Sequence, residues 1–472
     1  MIEKKLSRRD FLHISALTAA SVALVGCQPK ATEPPAADVE EPAAPTEAPP
    51  EPTEAPAEPE GKVIQYWFSW GNFLPVWEDG LMATQEFKDA IGNDTLELNP
   101  IPNAPETLLT AVAAGTPPDG ASNVQYLDYM ARDVLLPIGD MVATSSIVKQ
   151  ADYLEGTWSD AFYQGTMYGV PADEGFLRYG LNYNARMVEE AGLDPDDPPV
   201  TWEDCLVWHE ALTKFDDAGN MLQVGLDPYD AMGGQIGIQD GFYPPVSWGW
   251  DWFNGDTGEF DLDNDMLIES LDVMGEFYKI AGPDNMAGMR QVEGQGGWGG
   301  SFNVEVQAMI IEGYWHPGET VIEKPEVAEY NRSTWAPVPE SRRGVKVQGT
   351  GGHYVILFKE GKNTDGMFKI AEFLNTNTAC DMIFKGVGWL PGLIPYLQTV
   401  DTSAYPGLQF YFDSVEEAAE WSSPARCPIT SFVGNQYQEL REAVYREQMT
   451  AAEAAAEFQA RCEAEWAAQG FS

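Results

Sequence analysis

From Lys62 onward the chain alternates short β-favouring runs with stretches of helical periodicity. Val63-Ile64-Gln65-Tyr66-Trp67-Phe68 places β-branched and aromatic residues in a strand pattern that ends in the loop Ser69-Trp70-Gly71-Asn72. A helix is predicted over roughly 78–91, then a strand over 95–99. A second helix runs from Pro105 to Gly115, where glycine stops it before Thr116-Pro117-Pro118-Asp119. Tyr168-Gly169-Val170-Pro171 leads towards an extended crossing, Tyr179 to Asn184. The helix Ala185 to Ala191 stops at Gly192, and Thr201-Trp202-Glu203-Asp204 is a capped start for the next one. Asp256-Thr257-Gly258 reads as a hairpin turn, Ile268 to Ile280 as a helix, and Val304 to Glu312 carries small and apolar residues into Gly313-Tyr314-Trp315. Gly349 to Gly352 precede a strand, His353 to Phe358. Met367 to Thr376 is helical, and Asn435 to Ala468 is rich in helix formers. Strands alternating with helices at this spacing predict an α/β body, in which ligands gather at the C-terminal strand ends.

With 472 residues, 44% of them hydrophobic, the chain can bury a large core in two or three domain-sized units. Its formal charge of −47 repels phosphate backbones and anionic lipid surfaces, which excludes nucleic acid as a partner. Five cysteines (Cys27, Cys205, Cys380, Cys427, Cys462) and four histidines lack the spacing of a zinc site, so neither metal nor cofactor is expected. Setting Cys27 aside leaves four, compatible with one or two disulfides or with buried free thiols.

Residues 1–27 begin with a basic stretch and continue through an apolar run, Ile14 to Val25, too short for a comfortable membrane span. Ser7-Arg8-Arg9-Asp10-Phe11-Leu12 resembles a twin-arginine export signal, and Leu24-Val25-Gly26-Cys27 resembles a lipobox whose Cys27 receives the lipid. Residues 28–61 are mostly Pro, Ala, Glu and Thr, and such a segment cannot offset its ordering entropy. It is expected to be a disordered tether reaching on the order of 100 Å at roughly 3 Å per residue. No later segment is apolar for long enough to cross a bilayer.

Four stretches resemble the sugar-binding solute-binding proteins of ABC importers, the family that includes maltose-binding protein. They are Leu108 to Asp119; Tyr168 through Asn182-Tyr183-Asn184 and Glu190-Ala191-Gly192-Leu193 to Thr201-Trp202-Glu203-Asp204; Gln307 to Trp315 with Ala336-Pro337-Val338-Pro339; and Gly351-Gly352 with its strand and the helix holding Glu372-Phe373-Leu374. Together they span nearly all of 62–470, with the glycine-rich run 288–300 as a departure. The resemblance implies an α/β, two-lobe periplasmic-binding-protein-like (type II) fold with an interlobe cleft and a multi-segment hinge. Residues 62–172 and about 336–388 would form the N-terminal lobe; about 173–335 and 389–472 the C-terminal lobe. It implies a monomer, anchored outside the cell membrane by Cys27, that passes its solute to the importer's transmembrane subunits without breaking a bond in it.

A sugar site needs aromatic platforms for ring faces and polar groups for hydroxyls. The resemblance places Trp70, Asn123, Gln125, Glu174, Asp227, Tyr229 and Trp315 on cleft-facing loops, with Gly351 and Gly352 allowing close backbone approach; Trp389 and Tyr437 join them. Trp248 belongs to a period-two trio with Trp250 and Trp252 that suits either a cleft-facing loop or core packing. Two rivals stand beside the sugar binder. One is an exported glycoside-active enzyme, for which 74 acidic residues always offer a carboxylate pair. The other is a binder of a non-sugar solute such as a polyamine or peptide. The absence of GxSxG, HExxH and P-loop patterns argues against the common enzyme classes, and aromatic richness favours carbohydrate.

Overall fold

The computed structural model describes residues 61–101, 104–124, 126–229, 243–291, 298 and 300–471. The stretch resembling an export signal, Cys27, nearly all of the expected tether and Gln125 lie outside the described residues. Two five-stranded sheets, each with its own core, form the body.

The first sheet begins with β1 (Val63–Phe68), whose inward residues Ile64, Tyr66 and Phe68 are fully buried, as the period of two requires. It pairs in parallel with β2 (Thr95–Pro100) and β3 (Gly120–Ser122). The predicted helix over 78–91 is broken into helices Leu74–Asp79 and Gln85–Ile91 with a short 3-10 turn between. Gly80 ends the first piece, and the Thr84 hydroxyl accepts from the Phe87 N–H, so a cap interrupts what composition alone would continue. The sheet is completed by β4 (Gly169–Pro171) and, from far along the chain, β10 (Tyr354–Leu357), in the order β2-β1-β3-β10-β4. β10 runs antiparallel to both its neighbours.

The second sheet contains β5 (Gly180–Asn184), β6 (Lys214–Phe215), β7 (Met221–Leu226), β8 (Gln307–Glu312) and β9 (Asn331–Thr334), ordered β9-β5-β8-β7-β6. Every residue of β5 and β8 is buried, fitting strands covered on both faces. Thr201 caps helix Trp202–Leu212 in a full capping box with Asp204. The C-terminal helical region is two helices, Thr430–Tyr445 and Ala451–Ala468, because Thr450 and Glu453 build a capping box that restarts the chain.

Three segments cross between the sheets side by side. In the first, 172–178, Ala172 donates to the His353 carbonyl (3.2 Å) and Arg178 to the Gly349 carbonyl (3.0 Å). The second, 347–353, returns a bond from His353 to the Glu174 carbonyl (3.0 Å). The third, 420–424, pairs in parallel with Val347–Gly349, and the Thr350 N–H donates to the Ser422 carbonyl (2.8 Å).

The sequence-derived lobe boundaries differ from the packing in several places; Tyr314, Trp315, Leu408 and Tyr411, assigned to the C-terminal lobe, pack with the first core. Trp389, Leu390, Leu393, Tyr396 and Leu397 pack with the first core, not the second, because helix Asn377–Val387 lies on that core and left-handed Gly388 turns the chain back onto it. Ala336, Val338 and Val347 pack with the second core, not the first; the Trp202 N–H donates to the Val338 carbonyl (3.0 Å) and holds that segment there. Cys205, Cys380, Cys427 and Cys462 are buried free thiols. Among the described residues no helix is long and apolar enough to cross a membrane.

Candidate functional site

The crossing segments bring together side chains from distant parts of the chain. Trp70, just after β1, meets His353 edge-on (centroids 4.5 Å apart) and Trp389 at 4.8 Å. Trp298 lies parallel to Trp389 at 4.7 Å with a 10° interplanar angle, and 6.3 Å from Trp70. Trp389 is held from behind. Gly388 presses so closely on Gly318 and Glu319 that a Cβ there would lie 2.6 Å from the Glu319 nitrogen. That contact lets the Trp389 indole N–H donate to Glu319 Oε1 at 3.0 Å.

Polar and ionisable groups surround these rings. Glu174 lies 3.4 Å from Arg178 Nη2 and 3.4 Å from His353 Nε2. Arg178 also sits 5.5 Å from the Trp315 ring centre, and Trp315 opens helix Trp315–Glu323. His316 Nδ1 contacts Glu312 Oε2 at 2.6 Å. Asn123, in a left-handed conformation (φ 57°), donates to Asp173 Oδ2 at 3.2 Å.

The electrostatics follow from burial. The Asp173 carboxyl is pushed up to about 7 by burial, with the Asn123 hydrogen bond opposing and the Glu174 charge reinforcing the shift. Glu319 is raised well above the ordinary carboxylate range by burial and then by the charge of Glu312, while the Trp389 N–H pulls the other way. Burial, with Arg178 beside it, lowers His353 to about 3, so its ring is neutral at neutral pH. Several buried polar atoms of this group have no hydrogen-bond partner among the described residues. Acceptors are Asp173 Oδ1, Glu312 Oε1 and Glu319 Oε2; ring nitrogens are Trp315 Nε1, His316 Nε2 and His353 Nδ1. Buried polar atoms without partners are costly, so each calls for a water or a ligand group to meet it.

Of the residues proposed from sequence, Trp70, Asn123, Glu174, Trp315, Gly351, Gly352 and Trp389 collect here. The two glycines serve the backbone: a Cβ on Gly352 would meet the Glu174 carbonyl at 2.8 Å, so glycine is what lets the first two crossing segments lie together. Asp227, Tyr229, Trp248 and Tyr437 fall elsewhere. Asp227 accepts from Tyr278 (2.7 Å), Arg290 (2.7 Å) and the Tyr229 N–H (3.1 Å), which fills its carboxylate with protein donors. Tyr229 packs against Tyr278, Tyr437 and Tyr445, with Arg441 over its ring at 4.4 Å; Tyr437 also lies on Phe458. Trp248 stacks on Trp202 (6.2 Å, 17°) inside the second core, the packing alternative of the two its spacing allowed. Trp298, Asp173, Arg178, His353, Glu312 and Glu319 were not selected from sequence. Only Trp298 carried a signal, as a lone aromatic in a glycine-rich run.

Residues 81–379, more than half of the 472, match the family model described as bacterial extracellular solute-binding protein. No curated protein matches the sequence. Among solved structures, CpMnBP1 with mannotriose bound superimposes with a TM-score of 0.72 at 18% identity, covering 85% of this chain and 99% of that one. The sugar-binding protein MalE from Xanthomonas citri gives 0.65 at 20% identity, covering 86% and 99%. An ABC substrate-binding protein from Listeria monocytogenes in complex with cycloalternan gives 0.66 at 16% identity, covering 88% and 100%. At these identities the likeness establishes the two-lobe fold. Fold and family model agree, and the chain belongs to the bacterial extracellular solute-binding proteins.

Proposed function

We propose that this protein captures a neutral carbohydrate between its lobes and delivers it to the membrane subunits of an ABC importer. One observation carries the reading: stacked indoles bordered by buried carboxyl oxygens and ring nitrogens that lack partners among the described residues. A pyranose offers apolar faces for the first and hydroxyls, each donor and acceptor at once, for the second. The sugar-bound structures that share the fold support the same ligand class.

The clamp works through the crossing segments. In the described conformation Trp298 and Trp389, which both pack on the first core, are already in contact, so admitting a sugar ring between them requires the Trp298 ring to move off Trp389. Solute that then touches both sides stabilises the closed arrangement in proportion to its differential contacts. Trp70, Trp298, Trp315 and Trp389 act as platforms. Asp173, Glu174 and Glu319 accept from hydroxyls, and Arg178 donates. The solute leaves chemically unchanged, the protein acts as a monomer, and lipidated Cys27 with its tether keeps the lobes near the importer.

The test is titration of mannobiose, mannotriose, maltotriose and xylobiose against the purified protein by calorimetry, with spermidine as a cationic control. At least one neutral sugar should bind. Trp389→Ala should weaken it by roughly 2–4 kcal/mol, a roughly 30- to 1,000-fold rise in Kd. Binding of spermidine alone, or new reducing ends appearing in the sugar incubations, would overturn the reading.

A further inference from the structure

A cavity of about 580 Å³ lies apart from the tryptophan cluster. It is walled by both halves of the body: Asp160 and Phe162 belong to segments packed on the first core, and Phe253 and Trp466 to the second. Pro424, at the end of the third crossing segment, and Arg426, just beyond it, also line the cavity. None of Trp70, Trp298, Trp315 or Trp389 lines it.

Two opposite charges in this cavity are left incomplete. Asp160 is buried, and its Oδ2 has no hydrogen-bond partner among the described residues. Arg426 donates through Nη2 to the Phe162 carbonyl and approaches Met130 Sδ at 3.6 Å, yet its buried Nη1 has no partner among the described residues. The two residues feel each other's charge without forming an ion pair. Leaving a carboxylate oxygen and a guanidinium N–H buried and unmet is expensive on both sides. A single group that donates to one and accepts from the other would relieve both. The buried pair sums to zero and the third charge of the lining, Asp256, is exposed to solvent, so a charged ligand would leave one buried member opposed, and the aromatic walls offer flat apolar contact.

We infer that this cavity is a second binding site, for an uncharged polyol of monosaccharide size. A rotation of the two side chains towards the cavity lets one hydroxyl donate to Asp160 Oδ2 and a neighbouring oxygen accept from Arg426 Nη1, with the ring against Phe253 and Trp466. The volume falls within the range of small-molecule pockets and exceeds what one such ring needs.

The full chain carrying Trp389→Ala isolates this site from the cleft. D-glucose, D-mannose and D-galactose serve as probes by saturation-transfer NMR and calorimetry, with L-leucine as a zwitterion able to present the same donor and acceptor. At least one monosaccharide should bind. Asp160→Asn should weaken it roughly tenfold. Gly255→Leu should abolish it by filling the cavity, since a Cβ at Gly255 meets only the Arg426 Cβ, at 3.9 Å, and a thermal melt confirms that this variant folds. Binding of L-leucine alone would overturn the ligand class. No probe signal that Gly255→Leu removes would overturn the site, whatever the cleft is found to bind.

Discussion

Asp173 makes stability depend on pH in a way that one substitution isolates. An ordinary aspartate ionises near 3.8, whereas burial holds this one at about 7. Between those values the folded state keeps a proton that the unfolded chain has released. Folding is therefore favoured least by this group above the folded pKa, and the penalty shrinks as pH falls towards the unfolded value. With each unit equivalent to about 1.4 kcal/mol, the penalty is about 1.7 kcal/mol near pH 5 and about 4.3 kcal/mol near pH 8. Asp173→Asn removes the titration while keeping an oxygen to accept from Asn123, whose bond to Asp173 measures 3.2 Å. The stability gain of this variant over the native protein should thus grow by about 2–3 kcal/mol between about pH 5 and about pH 8. Urea denaturation of both ligand-free proteins at the two pH values reads this difference directly. Asp160, raised to about 6 by burial, titrates in the same window but is common to both proteins and cancels. Parallel stability curves for the two proteins would refute the argument, because they would mean that Asp173 is ionised in the folded protein.

Two further outcomes separate packing from binding. Trp248→Ala should cost about 3–5 kcal/mol of stability by opening a cavity beside Trp202, while the Kd for a bound sugar stays unchanged. Arg290→Met should destabilise the protein by about 3 kcal/mol by leaving Asp227 buried without its cation, and adding Asp227→Asn should recover part of that loss in the same urea assay.

Local signals predicted elements well. β1 is legible in the alternation of Ile64, Tyr66 and Phe68, and the helix from Trp202 in its Thr201/Asp204 box. The restart at Thr450 was equally written, as Thr450-Ala-Ala-Glu453, but helix formers on either side masked it. Residues of the candidate site were legible only where they end a strand or join a recognisable stretch, as Trp70, Glu174 and Trp315 do. Trp298 becomes relevant only through its stack on Trp389, 91 positions further along, and no local pattern encodes such a pairing. The same holds for Asp173, whose altered acidity depends on what buries it. Aspartates and tyrosines that look available in sequence can be consumed internally, as Asp227 and Tyr229 are.

The placement of β10 bears on how the chain can be made. This strand sits between β3 and β4 yet enters at Tyr354, long after both have been synthesised. A nascent chain that has emerged only as far as residue 350 has a first sheet divided into unconnected parts, and its second core still waits for Val433 to Cys462. Neither half can close until translation is nearly finished, so maturation should resemble a late, concerted collapse more than a domain-by-domain assembly.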